Sequence, residues 1–287
     1  MKIFDGKSKA QKILLRLKKR ISKDKITPVL SVISVGKDPA SELFIRNKKQ
    51  AAENIGIEVS HSRFKETISG KRIIRKIERL SKNEAVHGII VQLPLPRKLN
   101  AGEIVGKISP FKDVDGFGKE TRFSSPLISA ILVALKSSVS DFKDKKIIAL
   151  VNSDFLGQSL IKFLEKERIK TDYLLRKNIS GPKIKKADII ITVCGCPGLV
   201  KGDMIKKGVV LIDAGIVVLK NKKVAGDVDR KSVEGKASFL TPVPGGLGPL
   251  TVAHLLENVY LAERGKAERR LEMKANSKRG KLHRLVV

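Results

Sequence analysis

Short apolar runs alternate along this chain with longer stretches whose apolar residues recur every third or fourth position. The runs Val29–Val35, Ile57–Ser62, Gly88–Leu93, Ile147–Val151, Asp172–Leu175, Ile189–Val193 and Val209–Ile212 are bounded by turn-forming residues and predict strands. The periodic stretches predict helices from Lys7 to about Ile21 and over Pro39–Glu53, Lys71–Leu80, Pro126–Leu135, Gln158–Glu167 and Pro249–Arg264. Asp38 stands as an N-cap before Pro39, whose missing N–H costs nothing at the first helical position. In the last helix Val252, Leu255, Leu256 and Val259 fall on one face, so that helix must dock on a core. Strands alternating with helices are the pattern of a parallel α/β architecture.

The 287 residues, 41% of them hydrophobic, suffice for two αβ domains of ordinary size. Asp113–Ser125, with its glycines, charges and Ser-Ser-Pro turn, is the candidate connection between them. No apolar run approaches a membrane span, and the polar start MKIFDGKSKAQK lacks a secretory apolar region, so a cytoplasmic protein is expected. Cys194 and Cys196 have no second Cys or His group beside them, and His61, His87, His254 and His283 are scattered, so no metal site is expected. Lys and Arg outnumber Asp and Glu by 59 to 29, a net charge of +30 that favours encounters with polyanions. The charge is nonetheless spread through nearly every segment, aromatics are 4%, and no RNP-like or zinc-finger pattern accompanies it. A solvated lysine-rich surface that attracts small anions is therefore favoured over nucleic acid as a partner. Residues 265–287, GKAERRLEMKANSKRGKLHRLVV, read as a basic tail, frayed helix or mobile.

Five segments carry candidate chemistry. Ser41, Phe44 and Lys48 share a face of the helix that starts at Pro39, with Phe44 and Lys48 one turn apart. The strand HGIIVQLPLP ends at Gln92, flanked by Val91 and Leu93, where a parallel strand opens on a cleft. KDVDGF sets Asp113 and Asp115 in a turn before Gly116, and turn chemistry explains one carboxylate better than two. TPVPGGLGPLT stiffens with Pro242, Pro244 and Pro249 a loop whose Gly245 and Gly246 let a planar ligand approach the backbone. After the strand IIALV, the turn NSDFLGQSL keeps a single glycine, Gly157, in place of a full dinucleotide fingerprint, and Arg176 and Lys177 follow the next strand where ribose or 2′-phosphate contacts arise.

In order and spacing, PASELFIRNK, GIIVQLPLP, KDVDGF, VCGCPGLV, LIDAGI, VAGDV and TPVPGGLGPLT resemble the signature series of the methylenetetrahydrofolate dehydrogenase/methenyltetrahydrofolate cyclohydrolase family, over about Lys2 to Arg264. The resemblance implies a folate-binding catalytic domain over 1–118 completed by a returning helix over 248–264, a Rossmann-like parallel sheet over 119–247, and a cleft lined by both. It implies a homodimer, NADP as cofactor with NAD as the alternative, and two reactions of one-carbon metabolism. These are oxidation of methylene-tetrahydrofolate to the methenyl form and hydrolysis of that cation to formyl-tetrahydrofolate. Lys48, Gln92 and Asp115 match the catalytic set: the lysine, the glutamine that tunes it and the carboxylate that grips the pterin. Ser41, Phe44, Val91, Leu93 and the loop Pro244, Gly245, Gly246, Leu247, Gly248 match the folate contacts. Val151, Asn152, Ser153, Gly157, Arg176 and Ile216 match the cofactor positions.

The chain departs from the family pattern in three places. Phe44 stands where the family usually has Tyr, Val151-Asn152-Ser153 replaces a G-R-S type of turn, and the segment before Ser124-Ser125-Pro126 is shorter than usual. Two other readings stand beside the bifunctional one: a cyclohydrolase with weak or lost dehydrogenase activity, and a non-catalytic relic whose basic surface binds nucleic acid.

Overall fold

The computed structural model describes residues 1–118, 120–219 and 223–283, with side chains as far as Lys266. In chain order the first elements are β1 (Lys2–Ile3), α1 (Gly6–Asp24), β2 (Val29–Val35), α2 (Pro39–Glu53), β3 (Glu58–Phe64), α3 (Gly70–Lys82), β4 (Gly88–Val91) and α4 (Ala101–Val105). They are followed by α5 (Pro126–Ser138), β5 (Ile147–Val151), α6 (Asp154–Lys166), β6 (Asp172–Leu175), α7 (Gly181–Ile184), β7 (Ile189–Val193) and β8 (Val210–Asp213). The hairpin β9 (Val217–Val218) and β10 (Val224–Ala225), then α8 (Arg230–Val233), β11 (Phe239–Leu240) and α9 (Leu247–His283), complete the chain.

Two compact units result, one of Met1–Ile13 with Pro126–His254, the other of Leu14–Ser125 with the chain from Leu255 onward. The sequence reading starts the catalytic domain at Met1. The observed unit starts later because β1 lies parallel to β11, with Lys2 opposite Phe239 and Ile3 opposite Leu240. A strand of two residues shows no periodicity, and its partner lies at the far end of the sequence, so this pairing leaves no local signal. The basic tail expected over 265–287 falls largely outside the described side chains; the backbone of α9 runs on to His283.

The unit holding Leu14–Ser125 is built on a parallel sheet in the order β3-β2-β4. The central strand β2 is buried from Leu30 to Val35, while β3 alternates in exposure as an edge strand does. Helix α3 presents Ile73, Ile77 and Leu80 on one stripe to Ile33, Val35, Ile89 and Val91. Each such side chain withdrawn from water contributes roughly 1.5–3 kcal/mol. The part of α9 beyond Leu255 docks here. The Tyr260 hydroxyl donates to Asp24 Oδ2 at 2.7 Å, Arg16 pairs with Glu257 at 3.1 Å, and Asn258 Nδ2 donates to the Val114 and Ser124 carbonyls at 2.8 and 3.0 Å. His87 accepts from the Val29 N–H at Nδ1 and turns Nε2 to Glu263, and burial together with Lys266 and Lys112 pushes its pKa down to about 4.

The other unit is a six-stranded sheet, order β1-β11-β8-β7-β5-β6, parallel throughout. From β5 the chain moves outward to β6 and then returns across β5 to β7. The crevice at the carboxyl ends of β5 and β7 is thus the switch point at which doubly wound sheets receive ligands. Ile148, Leu150, Ile190 and Leu211 fill one face of this sheet with Ile184, Val200 and Val233.

Candidate active site

Helix α2 is set by its first turn. Asp38 accepts the Ser41 N–H and the Ser41 hydroxyl on the same oxygen, both at 2.8 Å. Ser41 is therefore buried and engaged in the cap. Two turns on, Lys48 stands half-buried on the same helix as the half-buried Phe44. Its Nζ donates to Gln92 Oε1 at 2.9 Å, and Gln92 Nε2 donates to the Leu93 carbonyl at 2.8 Å. Since a carbonyl only accepts, the second bond fixes which end of the amide faces the lysine.

Burial lowers the Lys48 pKa, and the nearby Asp115 carboxylate opposes the shift. Burial likewise raises Asp115, which Lys48 partly restores and Asp113 raises further. Burial thus disfavours the charged form of both groups while each charge draws the other back toward its ordinary range, the kind of environment found around proton-transfer groups. Asp113 plays a different part: it is 1% exposed, its Oδ2 accepts the Gly118 N–H at 2.6 Å and its carbonyl accepts the Thr121 hydroxyl at 3.0 Å. It builds the turn that carries Asp115.

The folate contacts expected around Gln92 divide. Val91 is 3% exposed and packs in the core with Ile33 and Ile89, because a parallel strand is buried on both faces. Leu93, just past the strand, is 36% exposed. The loop Pro244–Gly248 belongs to the six-stranded unit. Gly246 N–H closes a turn on the Pro242 carbonyl at 2.7 Å, Gly245 has φ +102°, and Leu247 is buried as α9 begins. Ile216, after β8, lies against this loop: a Cβ added to Gly248 would stand 3.6 Å from its Cδ1.

At the switch point the cofactor positions also divide. Val151 is the last residue of β5 and fully buried, hydrogen-bonded in register between Leu175 and Val193. Its side chain faces the core, so the valine does not crowd the turn. Gly157 lies inside α6, because Ser153 caps that helix and starts it at Asp154, ahead of the expected Gln158. A Cβ there would come within 2.6 Å of the Tyr173 ring, so this glycine serves close packing of α6 on β6. Asn152, Ser153 and Arg176 are exposed. Because Val151 pairs with Leu175, the next residues, Asn152 and Arg176, emerge side by side at the edge of the sheet. An amide, a hydroxyl, a helix N-terminus and a guanidinium grouped there fit the phosphates and ribose of a dinucleotide.

Residues 4–115 match the catalytic domain of the tetrahydrofolate dehydrogenase/cyclohydrolase family, and residues 126–267 match its NAD(P)-binding domain. The chain belongs to this family. It is 35% identical over 283 residues to the bifunctional protein FolD of Nautilia profundicola, covering 93% of this chain and 99% of that one. To FolD of Staphylococcus aureus it is 38% identical over 276 residues, covering 92% and 96%. Among solved structures, the bifunctional FolD of Campylobacter jejuni superposes with a TM-score of 0.85 at 33% identity over 93% of this chain and 99% of that one. The Trypanosoma brucei enzyme, solved with NADP and an inhibitor, superposes with a TM-score of 0.84 at 27% identity, covering 92% and 98%.

One buried cluster in this dehydrogenase/cyclohydrolase chain lies outside the residues predicted for the site. Asp227 is completely buried; its Oδ2 accepts the Thr192 hydroxyl and the Cys194 N–H, both at 2.7 Å, and its Oδ1 accepts the Cys196 N–H at 2.6 Å. Asp213, 3% exposed, accepts Gly215 N–H at 3.0 Å, Asp227 N–H at 3.1 Å and Val228 N–H at 2.9 Å. Burial, reinforced by Asp227, outweighs those donors and pushes the Asp213 pKa up to about 7. The signal for both lies in LIDAGI and VAGDV, where an aspartate stands within two residues of a glycine. A Cβ on Gly215 would fall 2.2 Å from the Asp227 carboxyl carbon, and one on Gly226 would fall 2.1 Å from Asp213 Oδ2.

Proposed function

We propose that this protein uses Lys48, Gln92 and Asp115 to convert methylene-tetrahydrofolate to formyl-tetrahydrofolate in two steps, with NADP as the oxidant. The observation that carries the reading is the Lys48–Gln92 bond at 2.9 Å beside the Asp115 carboxylate, in a chain of the dehydrogenase/cyclohydrolase family. Asp115 offers two acceptor oxygens of the kind that pair with the amino and ring N–H groups of a pterin. Phe44 supplies an aromatic face for the aminobenzoyl ring. Bound NADP supplies the hydride acceptor. Its holders are Asn152, Ser153 and Arg176 at the carboxyl ends of β5 and β6, with Ile216 beside the Gly248 turn.

For hydrolysis, water forms a bond to the methenyl carbon and gives up a proton. The bond from that carbon to one ring nitrogen then breaks as that nitrogen takes a proton and the added hydroxyl releases its own to become the formyl oxygen, so that one proton leaves to solvent overall. Lys48, whose pKa burial lowers, accepts the first proton and returns one to the nitrogen. Gln92 Oε1 keeps the amine aimed while its charge changes. Assembly as a cytoplasmic homodimer completes the reading on the family resemblance, and no described helix is long and apolar enough to cross a membrane.

Assays of both reactions on the purified protein test the proposal. NADP-dependent formation of the methenyl chromophore and its hydrolysis are both expected. Hydrolysis without NADP reduction reduces the reading to a cyclohydrolase. Salt-dependent binding of nucleic acid with neither turnover replaces it with the binding relic.

A further inference from the structure

The loop Cys194-Gly195-Cys196 leaves β7 at the switch point, the place where a nucleotide-binding sheet receives its ligand. Gly195 has φ +62°, a conformation that turns successive backbone N–H groups toward one anion. Here the anion acceptor is internal. The carboxylate of Asp227 takes the N–H groups of Cys194 and Cys196 at 2.7 and 2.6 Å, and the Thr192 hydroxyl beneath them at 2.7 Å. The nest is therefore filled by the protein's own side chain, and phosphate binding falls to the neighbouring turn at Asn152 and Ser153.

Asp227 is in turn placed by Asp213. The Asp213 carboxylate accepts the backbone N–H groups of Asp227 and Val228 on one side and of Gly215 on the other. Thr241 fixes Asp213 itself, its hydroxyl accepting the Asp213 N–H at 2.6 Å and donating to the Asp213 carbonyl at 3.0 Å. Two loops that leave adjacent strands, Cys194–Cys196 after β7 and Ala214–Ile216 after β8, are thus bolted together through two carboxylates with no solvent-exposed member. Ile216 is one of the proposed cofactor residues, and it follows directly on the Gly215 amide that Asp213 holds. Hydrogen bonds accepted by buried carboxyl oxygens are strengthened by the dry setting.

We propose that Asp227, supported by Asp213, is a positioning residue for the dinucleotide: it holds the β7 and β8 loops in the binding-ready shape before cofactor arrives, so that binding costs no loop ordering. The proposal rests on the reading of this sheet edge as the dinucleotide site. An ordering cost removed in advance appears as affinity.

The test replaces one carboxylate oxygen, Asp227→Asn, which turns an amide N–H₂ against backbone donors. Three quantities are read: hydrogen exchange of the Cys194 and Cys196 amides in cofactor-free protein, NADP affinity by equilibrium titration, and methenyl hydrolysis. Exchange at both amides at least tenfold faster, NADP binding about tenfold weaker and hydrolysis unchanged are expected. Faster exchange with parental NADP affinity overturns the positioning role while leaving the dinucleotide site standing. A parent protein that binds no NADP overturns both. Should Asp227→Asn fail to fold, Thr192→Val removes only the hydroxyl donor. It is expected to speed Cys194 exchange and weaken NADP a fewfold, and parental values for both overturn the proposal.

Discussion

Asp115 and Asp227 are both withdrawn carboxylates in one protein, yet their surroundings differ in kind. Asp115 faces a half-buried Lys48, and burial pushes each of the two toward its neutral form. Asp227 is buried more deeply and is met by three donors between 2.6 and 2.7 Å. A group that must exchange a proton has its charged form disfavoured by burial; one that must hold a loop is met by several donors. The same contrast recurs within four residues at Asp113 and Asp115, where the first builds the turn and the second is presented by it.

The largest expected effect falls on the proton-transfer side. Lys48→Met keeps approximate volume and removes the amine, and methenyl hydrolysis followed by absorbance is expected to fall by about 10²- to 10⁴-fold. NADP affinity, which draws on the six-stranded unit, is expected to stay at the parental value. Hydrolysis at the parent rate breaks the comparison at its root, because Asp115 and Lys48 would then be a structural pair like the others.

The next effect is on stability and belongs to the saturated side. The Asp213 pKa is raised from 3.8 to about 7, with Asp227 the titratable group facing it. Between those values the unfolded chain has released the proton that the native protein keeps, so stability from this group is full below 3.8 and is lost as pH rises to about 7. A shift of this size corresponds to at most about 4 kcal/mol. In urea unfolding of parent and Asp213→Asn at pH 4, 5.5 and 7.5, the difference in stability between them is expected to move in favour of the variant as pH rises. A constant difference removes Asp213 as the source.

How far the sequence announced these features follows from how local each one is. Phe44 and Lys48 are visible as a pair because helical spacing alone places them, and Asp38 and Pro39 mark where that helix begins. Gln92 is visible because a polar residue ends an apolar strand. Helix α6 starts at Asp154 and not at Gln158, because the cap at Ser153 acts ahead of the apolar periodicity, and Gly157 falls in its first turn. The Asp213–Asp227 network depends on the register of β7 with β8 and on loops far apart in the chain, and no spacing rule reports that. Strands β1 and β11 are hidden for the same reason.

A smaller effect separates stacking from proton relay on the reactive side. Phe44→Ala is expected to weaken folate binding by about 1–3 kcal/mol, by analogy with bases stacked on aromatic side chains. Phe44→Tyr keeps the ring and is expected to keep the affinity. Measured by quenching of intrinsic folate fluorescence, equal affinity in the Ala variant ends the stacking role.

The smallest effect concerns an exposed charge, where water competes. Register places Arg176 beside Asn152 at the carboxyl end of the sheet, and both are exposed. Neither Asn152 nor Ser153 carries positive charge, so a 2′-phosphate at this edge draws its charge-assisted hydrogen bonds from the cations that follow β6, Arg176 first because register sets it beside Asn152. Solvent screening holds the gain to the lower end of the range for such bonds, about tenfold in affinity. Arg176→Ala is therefore expected to weaken NADP about tenfold and leave NAD, which lacks that phosphate, at its parental affinity. Added salt is expected to shrink the parent's preference toward that of the variant, because a surface pair is screened within about 10 Å at 0.1 M. A preference for NADP that survives the substitution assigns the phosphate to other residues, and equal weakening of both cofactors moves Arg176 from the phosphate to the ribose or the loop itself.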